Sequence, residues 1–141
     1  MTLRIGSAEG FYGDNVLSAL PMIMGRHVDV VCFEALAELT LAILQKDKLK
    51  DPSRGYTFDL ALIAQKILPE AFARNIPLIS NGGGLNPVGA AQMIHETATK
   101  LGLKGLKIAA ITGDDVMPRL EELHEKGETF PHIETGNPLN V

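Results

Sequence analysis

Four short apolar runs, separated by stretches of helical period, constrain this chain more than any single motif. They are LRIGS (3–7), HVDVVCF (27–33), IPLIS (76–80) and LKIAAIT (106–112). The last three are nearly continuous and rich in β-branched residues. Runs of this kind suit strands buried on both faces, because a strand with one wet face alternates instead.

The stretches between them read as helices. Asp14 can cap a helix carrying Val16, Leu17, Leu20 and Met24, in which Pro21 predicts a kink or a break. A second helix is expected over 35–47, with basic residues at the end where the dipole is negative. DPSRGY (51–56) reads as a loop. A third helix, over 58–74, sets Leu60, Ile63, Ala64, Ile67, Leu68 and Phe72 on one stripe, with Pro69 as a potential kink. A fourth is expected over 87–101, capped by Asn86 with Pro87 at its first position. A fifth runs from about 115 to 126 and stops at Gly127. The tail beyond it has no clear period and reads at most as the start of a fifth strand.

The order β-α-β-α-α-β-α-β-α implies an α/β fold: a Rossmann-like three-layer α/β/α sandwich with a mainly parallel sheet of four to five strands. Alternation alone also admits a half-barrel. At 141 residues and 45% hydrophobic content, the chain fits a single domain, 1–141, with a substantial core. The formal net charge of -4 gives no basic footprint for nucleic acid. No run reaches the length of a membrane span, and MTLRIGSAEG lacks the apolar stretch of a signal peptide. The lone Cys32 reads as a buried core thiol and forms no internal disulfide. A cytoplasmic protein is the expectation.

Open parallel sheets bind ligands beyond the carboxyl ends of their strands. The four strand exits read GSAEGFYGDN, EALAE, NGGGLNPVG and GDDV, all rich in glycine, acid or amide. The triplet Gly82–Gly83–Gly84, flanked by Asn81 and Asn86, feeds a helix N-terminus. It is a candidate cradle for a phosphate, a carboxylate or a thioester carbonyl. The competing reading is a packing turn. No Gly-Lys-Ser/Thr or G-x-G-x-x-G pattern is present. In the first loop Glu9 has no evident structural task, Gly10 and Tyr12 are candidate ligand contacts, and Asp14 reads as a cap. Glu34 ends a strand, and Glu38 stands four residues on; Glu34 and Glu9 are the candidate catalytic carboxylates. Gly113 joins the candidate ligand contacts, and Asp114 or Asp115 is a candidate holder of a divalent cation such as Mg²⁺. His27, His95, His124 and His132 lack metal-ligand spacing.

The pieces GSAEGFYGD (6–14), FEALAELT (33–40), ISNGGGLNP (79–87) and IAAITGDDV (108–116), in this order, resemble the acyclic terpene utilisation AtuA-like family, long catalogued as a domain of unknown function. The resemblance covers nearly the whole chain. Its members are several hundred residues long, so it implies correspondence with their N-terminal part. It also implies a role in catabolism of branched, acyclic terpenoid compounds carried as acyl-CoA thioesters. It assigns no catalytic residues. The family pattern often has Asp where this chain has Glu34, a change that keeps the carboxylate and lengthens its reach.

Two function classes follow. One is an enzyme domain acting on a small carboxylate or acyl-CoA by a lyase- or hydratase-type step, with Glu34 or Glu9 moving a proton. The other is a ligand-binding or assembly module that needs a partner subunit, a second copy or a missing C-terminal part.

Overall fold

The computed structural model describes residues 2–139. The chain divides into two compact units, Met1–Ile111 and Thr112–Val141. The first contains the sheet. Its strands are β1 (Ile5–Glu9), β2 (Val30–Phe33) and β3 (Leu78–Ser80), all parallel, in the order β1-β2-β3. The α/β class stands, but the sheet has three strands rather than four or five. Residues 106–112 carry the β-type pattern yet join no ladder, and Ile111 is 90% exposed. An apolar, β-branched run becomes a strand only where a neighbouring edge takes its N–H and C=O groups.

The sheet is also covered less evenly than its sequence implies. Gly6, Ala8, Val31 and Phe33 are buried on one face. On the other, Ile5 and Ile79 are exposed, and Val30 and Cys32 are half-buried. Cys32 is therefore a half-exposed thiol rather than a core one. Two buried faces, and with them the three-layer sandwich, are not what the described residues form.

The helices of the first unit are α1 (Ala19–Met24), α2 (Glu38–Lys50), α3 (Asp59–Leu62), α4 (Leu68–Phe72) and α5 (Pro87–Lys100). A 3-10 turn at Val16–Ser18 leads into α1. Pro21 thus falls in the first turn of α1, where a missing N–H costs no intrahelical bond. A π-helical turn, Ile63–Ile67, joins α3 to α4 just before Pro69. The widened turn accommodates the proline, which offers no N–H to the turn behind it. The predicted helix over 58–74 is therefore one run in three segments. Asn86 caps α5 as its sequence suggests, its side-chain oxygen accepting the Gly89 N–H at 3.0 Å.

One core joins these parts. Ala8, Val31 and Phe33 of the sheet pack with Val16, Ala19 and Ile23, with Leu60, Ile63, Ile67 and Ala71, and with Ala90. Deleting a large member of such a cluster costs about 2–5 kcal/mol.

The second unit holds a 3-10 turn at Met117–Arg119 and α6 (Leu120–Glu125). Glu122 pairs with Arg119 at 3.7 Å and with Lys126. The tail forms a turn in which the Gly136 N–H donates to the His132 carbonyl at 2.8 Å. No strand forms there among the described residues. Among those residues, no helix is long and apolar enough to cross a membrane.

Candidate functional site

The carboxyl end of β1 is irregular. Ser7 pairs with Cys32, but Glu9 pairs with the next residue, Phe33, so the ladder shifts between Ser7 and Glu9. Such a bulge breaks the in-out alternation of a strand and re-aims the side chain beyond it. Here it leaves Ala8 and Glu9 both buried, and Glu9 is only 2% exposed.

Facing Glu9 is Asp59, the first residue of α3, which is 4% exposed. An acid in a first helical turn is ordinarily a surface feature that complements the dipole. This one is buried. Its Oδ2 accepts the Gly13 N–H at 2.9 Å, which ties the loop after β1 to the start of α3. Gly13 has φ +89°, a backbone state that favours glycine. The same tie brings Tyr12 onto Phe58, with ring centroids 5.0 Å apart and planes tilted by 53°.

Burial, then the charge of Asp59 and a shared hydrogen bond with it, push Glu9 up to about 7, with Asp14 adding to the effect. Burial also pushes the Tyr12 phenol up. Among the described residues, Glu9 Oε1 and the hydroxyl of Thr57 are buried side-chain oxygens without a hydrogen-bond partner. Buried polar atoms in native folds are nearly always paired, so these two stand out in the fold.

The other predicted residues fall as follows. Glu34 lies beside Glu9 along the backbone, its N–H donating to the Glu9 carbonyl at 3.2 Å, but its side chain is exposed. Asn81 bridges strand ends: its Oδ1 accepts the Ala35 N–H at 2.8 Å. Gly10 donates its N–H to Asp14 at 3.1 Å, and the other Asp14 oxygen accepts the Asn15 N–H at 2.7 Å. Asp14 thus closes the loop rather than capping α1.

The glycine triplet is closely packed. A Cβ on Gly82 would meet the Thr57 hydroxyl at 2.6 Å, and one on Gly83 would meet Pro87 at 3.0 Å. Gly84, at φ +52°, would meet Leu44 at 2.4 Å and the Gly55 carbonyl at 2.9 Å. The amides of Gly82, Gly84, Leu85 and Asn86 donate to Ser80, Asn81, Gly55 and Gly83 respectively. Asn86 also reaches the carbonyls of Ser53 and Arg54, both at 3.1 Å.

The first three strand exits therefore meet at one edge of the sheet. Gly113, Asp114 and Asp115 belong to the second unit, where they are exposed and Asp115 caps a turn through the Met117 N–H at 3.0 Å. Among the described residues, no group of three or more His, Cys, Asp or Glu side chains is arranged to hold a metal ion. A shallow groove of about 640 Å³ between α5 and residues 106–108, lined by Val88, Gln92, His95 and Lys107 among others, contains none of the predicted site residues.

Asp59 and Thr57 were not among the predicted residues. The available signal was an acid opening the cleanest helical stripe in the chain, which reads equally well as dipole complementation.

A family model described as "Acyclic terpene utilisation family protein AtuA" matches residues 3–141. Neither a curated protein nor a solved structure matches the chain.

Proposed function

The chain belongs to the acyclic terpene utilisation AtuA family, and on that basis we propose that it acts in the catabolism of branched carboxylates or their acyl-CoA thioesters, with Glu9 as the group that moves a proton. The observation that carries this reading is the buried Glu9 carboxyl, one oxygen unpartnered, beside Asp59. A carboxyl held near 7 gains and loses its proton readily at neutral pH, as a general acid or base requires. In a lyase- or hydratase-type step, a base takes a proton from the carbon next to the carbonyl, or an acid returns one. Glu9 fills either role according to its charge. Burial and then the charge of Asp59 hold Glu9 in that range, and Asp59 tethers the loop that carries Gly10 and Tyr12, which we propose as ligand contacts.

The test is thermal unfolding of the wild type and Glu9→Gln with CoA, branched acyl-CoA esters, free branched carboxylates, and Mg²⁺ or Mn²⁺, followed by turnover of whichever compound binds. A ligand at 100 times its dissociation constant stabilises by about 2.7 kcal/mol. Binding by both proteins with turnover only in the wild type is the expected result. No stabilisation by any compound at such concentrations overturns the reading. Binding without turnover in either protein moves the domain to the rival class, an assembly module, for which the exposed apolar side of α2 speaks.

A further inference from the structure

Helix α2 is covered on one side only. Thr40 and Leu44 are buried, and Lys48 donates to the Leu85 carbonyl at 2.7 Å. At about 3.6 residues per turn, the side opposite Thr40 and Leu44 carries Leu39, Ala42, Gln45, Lys46 and Leu49, with Ile43 on its flank and Glu38 and Lys50 at its ends. Leu39 is 73% and Leu49 77% exposed, and Ile43 is exposed as well. Large apolar side chains gathered in solvent on one helix make a patch of the kind that marks an interaction surface.

The order of residues on this side is self-complementary. If two copies of α2 lie antiparallel about a two-fold axis at Leu44, Leu39 of each meets Leu49 of the other. Lys46 then lies over Ala42, whose small side chain leaves room for the lysine stem. Glu38 meets Lys50 at both ends of the pair, and the helix dipoles oppose favourably. A two-fold interface requires this reciprocity, in which each residue finds its mate in the other copy.

We propose that the exposed side of α2 is a homodimer interface, formed by antiparallel packing of α2 on the α2 of a second copy and fixed in register by two Glu38–Lys50 pairs. The proposal is independent of the role of Glu9.

The test is sedimentation equilibrium at low ionic strength, where charge pairs are least screened. The wild type is expected to show a concentration-dependent monomer–dimer equilibrium. Leu49→Glu abolishes it; the residue is exposed, so circular dichroism should show the fold intact. Glu38→Lys and Lys50→Glu each turn two attractions into two repulsions, and each weakens self-association by about tenfold. Mixed one to one, the two variants restore the dimer, because both pairs then join opposite charges. That rescue is specific to antiparallel self-pairing. A wild type that stays monomeric over the accessible concentration range, charge variants that dimerise as well as the wild type, or a mixture that fails to recover, each overturns the proposal.

Discussion

The glycine loop and the Glu9–Asp59 pair stand at the same edge of the sheet and use their polar groups in opposite ways. The loop is conspicuous in sequence and largely satisfied in structure: the amides of Gly82, Gly84, Leu85 and Asn86 are paired within the fold, and its missing side chains make room for Thr57, Pro87 and Leu44. The carboxyl pair is inconspicuous in sequence and only partly satisfied in structure: Asp59 accepts the Gly13 N–H, while Glu9 Oε1 has no hydrogen-bond partner. Glycine-richness reports that the backbone needs space or an unusual φ. It does not report who occupies the space. A buried acid beside a second acid reports an electrostatic cost that the fold itself carries.

Substitutions can break this contrast. Gly84→Val should have the largest effect, because the new side chain meets Leu44 and the Gly55 carbonyl at a left-handed φ. A loss of about 3 kcal/mol or more is expected in urea unfolding, since backbone strain and overpacking add.

Glu9→Gln tests the other side. The folded protein holds the Glu9 proton more tightly than the unfolded chain, with values of about 7 against 4.5. Its contribution to stability is therefore fully present below about pH 4.5 and is lost as pH rises through 7. The span is on the order of 3 kcal/mol. The wild type should lose stability between pH 4.5 and 8 relative to Glu9→Gln, and parallel pH curves for the two proteins would remove Glu9 from its special position.

Asn86→Ala removes the cap of α5 and the links to Ser53 and Arg54, with an expected loss of about 1–2 kcal/mol in the same unfolding assay. Gly13→Ala is expected to cost least, about 1 kcal/mol. Its φ is +89° but nothing lies within 4 Å of the added carbon, so only backbone strain remains.

What could be read from the sequence follows from the range of the forces involved. Some local signals carry through to the structure, although Asp14 closes its loop instead of capping α1. Asn86 and Pro87 start α5 where a cap and a donor-free first residue predict it, and the stripe from Leu60 to Phe72 is helical throughout. Pairing depends on the rest of the chain. Residues 27–33 and 106–112 have similar composition, but only the first finds two neighbouring strands, and its β-structure is confined to Val30–Phe33. Glu9 was readable as an acid without a task, but the bulge that turns it inward exists only through pairing with β2. Its proximity to Asp59, fifty residues on, is purely tertiary. Glu34 shows the converse: it follows β2 between buried Phe33 and buried Ala35, and the in-out alternation of extended chain leaves it exposed.

The π-helical turn at Ile63–Ile67 also sets an angular phase. Such a turn is equivalent to one residue inserted into a regular helix, which rotates everything before it by about 100° relative to everything after it. Leu60 before the turn and Ala71 after it both pack in the core, so the rotation sets which residues of each segment face inward, Asp59 beside Leu60 among them. Deleting one residue from 63–67 would restore an unbroken helix and swing Asp59 away from Glu9. The helix works as a keyed shaft, with the core gripping both segments and the turn fixing the angle between them.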